Sequence, residues 1–348
     1  MSCVWPDAVP TNARVGVWAP SSPGPVVFPR RFTRGLDALR ARGYQVEQGA
    51  SCAASTGPGT LSPRELAEEL VVLLESCDAV VAAVGGWTLT PVLPHIDWDR
   101  VGRAGKPLVG YSDVTSVLNL TAERAGLVAF HGPMVISEWG EAGGPWPYTV
   151  EEFDTVTGAG CDWREHSIRP AGSWSDERLF WDREDVRRRT GNSGDQPVRT
   201  VAPGSARGPL WGGSLVVLSL LAGTPLWPEP VDGSVVFLEA EGIAPDELWA
   251  RLEQFRLAGV LRRAGGVVLG KIGNPSCTAS GYADFDAVVR SCVPDGLPVV
   301  AGFDLGHADP MCTLPVGATA RLECPADGSP GLVLLRDAPV ASGTEAAA

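Results

Sequence analysis

The chain contains four histidines in 348 residues, so the search for a general base is short. His307 follows Gly306, just beyond the apolar run Pro298 to Gly302. Ser112 follows the apolar run Pro107 to Val109 and Gly110, where a helix-like pattern begins. Glu239 ends the apolar run Ser234 to Leu238. A serine at a strand-to-helix turn stands clear of the sheet, beside the unpaired N–H groups of the first helical turn. Such a hydroxyl becomes a nucleophile if a histidine reaches it and a carboxylate holds the other ring nitrogen. Ser112, Glu239 and His307 therefore form a candidate triad, each at the carboxyl end of an apolar run. Each also has a plainer reading: Ser112 as a helix cap, Glu239 as a solvated strand-end charge, His307 as a satisfied structural histidine. Ser112 does not sit in the elbow pattern G-x-S-x-G, because Val114, followed by Thr115, stands where the second glycine would be. His131, before Gly132-Pro133, reads as structural; His95 and His166 have no comparable setting.

The elements that would position these residues alternate between strand and helix. Arg14 to Ala19 reads as a strand. Arg30 to Arg42 has Phe32, Leu36 and Leu39 on one helical face and stops at Gly43. Tyr44 to Glu47 is a second strand. Pro63 to Ser76 is an amphipathic helix with Ser62 at its N-cap. Asp78 to Val84 is a buried strand that runs into Gly85-Gly86-Trp87. This β–α alternation predicts an N-terminal Rossmann-like α/β domain with a parallel sheet, spanning residues 1–137. Ligands of such sheets bind beyond the carboxyl ends of the strands, which makes Gly85-Gly86 and Ser112 neighbours. Residues 138–205 are rich in Trp, Pro, Gly, Arg and Asp with little periodicity, and read as an inter-domain connection. Trp174 and Trp181 in it are either packing residues or a stacking surface for a flat ligand group.

A second unit, residues 206–336, begins with GPLWGG (208–213) leading into a buried helix. It continues with strand Ser234 to Leu238, helix Pro245 to Gly259, strand Gly265 to Leu269 and helix Tyr282 to Val293. Ala318 to Glu323 and Gly331 to Leu335 form a closing antiparallel pair. The expected second domain is α/β with some antiparallel strands, followed by a flexible tail, 337–348.

Bulk properties exclude several functions. A net charge of −13 repels polyanions, so no nucleic-acid polymer is expected as a partner. No apolar stretch reaches membrane length, and the first twenty residues lack a signal-peptide pattern, so no membrane association and a cytoplasmic location are expected. The eight cysteines are scattered without C-x-x-C spacing, which argues against a disulfide framework and a zinc site. No metal or organic cofactor is expected. Gly85-Gly86 is a weak phosphate-cradle signal, since no G-x-G-x-x-G follows and Leu269-Gly270-Lys271 lacks the rest of a phosphate loop.

A set of short blocks resembles the LD-carboxypeptidase family of serine peptidases, in its microcin-immunity branch. They are APSSP (19–23), VGG (84–86), LPHIDWD (93–99), GYSDVT (110–115), HGP (131–133) and GGSL (212–215). GTP (223–225), FLE (237–239), LGK (269–271), GFDLGH (302–307) and LPVG (314–317) follow in the family's order. The resemblance implies Ser112 as nucleophile, Glu239 as orienting carboxylate and His307 as general base. It implies an oxyanion hole from the backbone of Gly85 or Gly86 and of Asp113. WSDERLFWD (174–182) resembles a substrate-holding loop, with Trp174 and Trp181 stacking on a nucleotide part. Trp87, Gly213 and Ser214 fall where the family meets substrate, but Trp87 and Ser214 depart from its usual residues, as does Ala240 after the triad glutamate. The implied activity is hydrolysis of an amide in a small peptide-like or aminoacyl-nucleotide-like compound, in antibiotic immunity or processing, by a homodimer. Murein tetrapeptide L,D-carboxypeptidase, an acyltransferase using the same triad, and a non-catalytic binding protein are the alternatives.

Overall fold

The computed structural model describes residues 3–54, 61–158, 163–191, 196–273 and 281–336. The expected tail, 337–348, lies outside them.

Five strands of the first half are β1 (Arg14–Trp18), β2 (Gln45–Gln48), β3 (Ala79–Ala82), β4 (Leu108–Gly110) and β5 (Ala129–His131). The rest are β6 (Glu165–Ile168), β7 (Arg199–Ala202), β8 (Gly204–Ser214), β9 (Ser234–Glu239), β10 (Ala264–Gly270), β11 (Val299–Phe303), β12 (Leu314–Val316), β13 (Thr319–Cys324) and β14 (Gly331–Leu335). They form a six-stranded sheet in the order β12-β5-β4-β3-β1-β2 and an eight-stranded sheet in the order β6-β14-β13-β8-β9-β10-β11-β7.

In the first sheet β1 to β5 are all parallel, with β12 antiparallel on β5. The strand order reverses at β1, so the loops after β1 and β3 open a crevice at their carboxyl ends. The helix Pro63–Ser76 covers this sheet and starts as its sequence dictates. Ser62 accepts from the Glu65 N–H at 3.2 Å while Glu65 accepts from the Ser62 N–H at 2.7 Å, a reciprocal cap contributing about 1 kcal/mol.

The second sheet has a parallel centre, β8 to β11, and antiparallel flanks. Its central strands are buried on both faces, and alternation decides which core each residue joins. In β9, Val235 and Phe237 enter the core shared with the first sheet. Val236 and Leu238 enter the one under the outer helices. Those helices contribute Leu218, Leu248, Leu252, Phe255 and Phe285.

Two stretches hold more regular structure than the sequence expectation. GPLWGG ends the 11-residue strand β8, which leads into the expected buried helix, Leu215–Leu221. Gly212 lies so close to β9 that a Cβ would come 1.8 Å from the Phe237 carbonyl oxygen. Residues 138–205 also hold a helix, Pro147–Thr157, and the edge strands β6 and β7. The helix face that is buried includes Thr149, Glu152 and Thr157 beside Phe153 and Val156, which hides its apolar periodicity.

Candidate active site

Gly110 ends β4 where space is short: a Cβ there would meet Val114 Cγ1 at 2.9 Å. Two residues on, Ser112 takes φ 57°, the left-handed region that a side-chain-bearing residue adopts at a cost of about 1–3 kcal/mol. A short turn and the helix Thr115–Leu120 follow. The result is a strained strand-to-helix elbow without the flanking glycine pattern. Gly85 faces it, because a Cβ on Gly85 would stand 2.7 Å from Ser112 Oγ.

His307 arrives from the second sheet through the loop after β11. The Lys271 ammonium pairs with Asp304 inside that loop and donates to the Gly302 carbonyl at 3.0 Å. Asp304 also accepts from the Ala171 N–H at 2.8 Å. Gly306, at φ 88°, passes so near Glu239 that a Cβ would come 2.6 Å from Oε2. This close approach lets His307 Nδ1 lie 2.7 Å from Glu239 Oε2, while Nε2 lies 3.1 Å from Ser112 Oγ.

Glu239 is 2% exposed. Burial opposes its charge, but His307 and, less strongly, His131 and the Ser214 hydroxyl outweigh it and hold the carboxyl below its usual range. Burial likewise opposes the imidazolium of His307, yet Glu239 and its hydrogen bond raise the pKa to about 9. Both shifts favour an ion pair in the free protein. His131 lies between the rings of Tyr111 and Phe237, at 5.7 and 5.3 Å. Burial lowers its pKa to about 4, so it is a neutral core histidine.

The remaining site residues predicted from sequence divide into two groups. Ser22 donates to the Gly85 carbonyl at 3.0 Å, and in a trans peptide this turns the Gly86 N–H the other way. The Asp113 side chain accepts from the Leu89 N–H at 3.0 Å, tying the glycine turn to the serine elbow. A cavity of about 550 Å³ opens over Ser112, Gly85 and His307, and Trp181 lines it. Trp181 packs edge-on against Phe28 at 5.2 Å and lies under the Arg31 guanidinium at 4.8 Å.

Trp174, Trp87, Gly213 and Ser214 are not on this wall. Trp174 is 4% exposed, and the next residue, Ser175, bridges Asp309 through paired backbone hydrogen bonds of 2.6 and 3.0 Å. Trp87 is 66% exposed outside the cavity. Gly213 packs on Thr115, and Ser214 sits beside Glu239 in register, behind the triad.

Sequence reasoning missed the polar clamp that holds residues 174–191 over the cavity. The Asp182 carboxylate accepts from the N–H groups of Arg30 and Arg31 at 3.0 and 2.8 Å, at the start of the helix Pro29–Ala41. Arg31, 2% exposed, pairs with Glu141 at 2.9 Å and Asp185 at 3.1 Å. Arg189 pairs with Glu141 and Asp309. It also missed Tyr111 and Glu138, joined by a 2.8 Å hydrogen bond on the cavity wall. Adjacency to Ser112 marked Tyr111; nothing local marked Glu138.

Residues 15–132 match the LD-carboxypeptidase N-terminal domain, and residues 207–322 the LD-carboxypeptidase C-terminal domain. A putative carboxypeptidase of Streptomyces coelicolor is 30% identical over 336 residues, covering 92% of this chain and 93% of that one. The microcin C7 self-immunity protein of Escherichia coli is 25% identical over 311 residues, 89% of this chain and 90% of that one. A structure of that self-immunity protein with glutamyl sulfamoyl guanosine superposes with a TM-score of 0.85 at 24% identity, covering 97% of this chain and 99% of that chain. With both domains matched in order along one chain, this protein belongs to the LD-carboxypeptidase family of serine peptidases.

Proposed function

We propose that the protein hydrolyses an amide in a small peptide-like or aminoacyl-nucleotide-like compound, with Ser112 as nucleophile. The observation that carries this reading is the relay from Ser112 Oγ to His307 Nε2 at 3.1 Å and from Nδ1 to Glu239 Oε2 at 2.7 Å. Ser112 Oγ attacks the carbonyl carbon while neutral His307 takes its proton. Negative charge develops on the carbonyl oxygen, and the N–H groups of Gly86 and Asp113 stabilise it. Such a donor contributes about 3–4 kcal/mol to the transition state. The imidazolium, held by Glu239, then protonates the leaving nitrogen. Water, activated by the same imidazole, releases the acid and restores Ser112.

The substrate class rests on the relatives. One is named for self-immunity to microcin C7, and its structure binds an aminoacyl sulfamoyl nucleoside. Trp181, with Phe28 and the exposed Phe180 on the same cavity wall, supplies flat apolar surface for a base or aromatic group. No helix among the described residues is long and apolar enough to cross a membrane. The family resemblance extends the reading to a homodimer, which light scattering on the purified protein tests, and the lack of a signal-peptide pattern extends it to a cytoplasmic location.

Incubation with glutamyl sulfamoyl guanosine, with and without an added amine, tests the activity. Release of free glutamate supports the hydrolase; a new amide in its place means acyl transfer. Full turnover in Ser112→Ala overturns the mechanism.

A further inference from the structure

The cavity wall beside the candidate triad carries a carboxylate to which no cation is hydrogen-bonded. Glu138 is 2% exposed and lines the same cavity as Ser112 and His307. Its Oε1 accepts from the Tyr111 hydroxyl at 2.8 Å. Its Oε2 accepts from the Met134 N–H at 2.8 Å and the Ser137 hydroxyl at 2.9 Å. All three donors are neutral. The neighbouring guanidiniums of Arg31 and Arg189 are bonded instead to Glu141, Asp185 and Asp309. Burial pushes the Glu138 pKa up against those hydrogen bonds and the nearby Arg189 charge, the sign of a negative charge that lacks full compensation.

Asp309 lines the cavity as well and is 3% exposed. Arg189 holds its Oδ2, while its Oδ1 has no hydrogen-bond partner among the described residues. Both carboxylates are tied to the reacting pair. Tyr111, which binds Glu138, directly precedes Ser112 and sets its ring edge-on to His307 at 5.0 Å. Asp309 lies two residues beyond His307 in the chain.

We infer that Glu138, with Oδ1 of Asp309, forms a subsite for an ammonium group on the acyl part of the substrate, next to the scissile carbonyl. A carboxylate accepts about four hydrogen bonds, so Glu138 keeps capacity for a donor from the ligand. An ammonium supplies both the missing charge and the missing donors. An N-acylated analogue leaves the buried carboxylates unpaired, and a site built for a polar group rejects the analogue that lacks it. The subsite therefore selects acyl groups bearing a free amine. This inference rests on Ser112 being the nucleophile.

The test uses a diphenyl 1-aminoalkylphosphonate and its N-acetyl counterpart, which modify a reactive serine and differ only in the ammonium. The rate of Ser112 modification is followed by mass spectrometry, with a simple fluorophosphonate as a reference probe. In the unmodified protein the free-amine probe reacts at least about tenfold faster than the N-acetyl probe. Glu138→Gln, which keeps shape and the capacity to accept from Tyr111, brings the ratio to within about twofold by slowing the free-amine probe. Fluorophosphonate labelling with no preference between the two probes overturns the subsite alone. So does a preference that survives Glu138→Gln, including a variant in which both probes slow by one factor, the outcome of a purely structural role. If even the fluorophosphonate leaves Ser112 unmodified, the nucleophile falls and the subsite with it.

Discussion

Ser112, Glu239 and His307 stand at the ends of β4, β9 and β11, strands paired on both sides and buried on both faces. Residues 174–191, across the cavity, join neither sheet; among the described residues Ser175 makes an isolated bridge to Asp309. They are held by carboxylates and guanidiniums: Asp182 on a helix start, Asp185 on Arg31 and Arg34, Arg189 on Glu141 and Asp309. Backbone ladders place the groups that must meet within a few tenths of an ångström. Ion pairs place a surface whose composition can change without moving the sheet. The contrast separates chemistry from recognition: disturbing the first should act on kcat, disturbing the second on KM and on the order of the segment.

The sharpest way to break that contrast is Ser112→Ala. It should lower kcat by on the order of 10⁴-fold or more with an unchanged melting temperature, as loss of a triad nucleophile does. Glu239→Gln should follow with a loss on the order of 10²- to 10⁴-fold and a change in pH profile. His307 accepts the serine proton only when neutral, and its pKa is raised to about 9, so kcat/KM should climb as pH rises through about 9. Removing the Glu239 charge removes what raises that pKa, so the midpoint should move down toward about 6.5. A midpoint that stays put would mean that the carboxylate does not govern the imidazole.

On the other side of the cavity, Arg31→Met should destabilise the fold by about 3–5 kcal/mol, because it leaves Glu141 and Asp185 short of a buried cation. Urea unfolding measures this, and limited proteolysis should find new cuts in 174–191. Unchanged stability would show that Arg34 and Arg189 suffice. The two tryptophans should then part ways. Trp181→Ala should raise KM several-fold, by about 1–2 kcal/mol of lost stacking, with kcat little altered. Trp174→Ala, buried off the cavity wall, should instead appear mainly as lost stability. Equal KM effects from both would mean that the whole segment, rather than one ring, recognises the substrate.

The strands carrying the candidate triad were legible because each is a short apolar run closed by a polar residue or glycine. The helix Pro63–Ser76 was legible because its cap, its proline and its periodicity agree. The helix Pro147–Thr157 was not, because it buries threonines and a glutamate against neighbours that only the fold supplies. Strand β8 was not legible as a strand because its glycines carry no apolar pattern; they let two backbones approach. Trp174 and Trp181 looked alike in sequence, and only the fold separates them, burying Trp174 beside the Ser175–Asp309 bridge and leaving Trp181 on the cavity wall.

The sequence by itself determined the α/β alternation, the family blocks and the three residues worth testing, since local pattern and residue type carry that information. Only the tertiary structure decided that Ser112 adopts a left-handed elbow and that Gly306 admits Glu239 to His307. It alone set Glu138 and Asp309 on the wall of the same cavity. These are contacts between residues up to 195 positions apart. No local propensity encodes such distances; they are fixed by how two sheets bury their shared core.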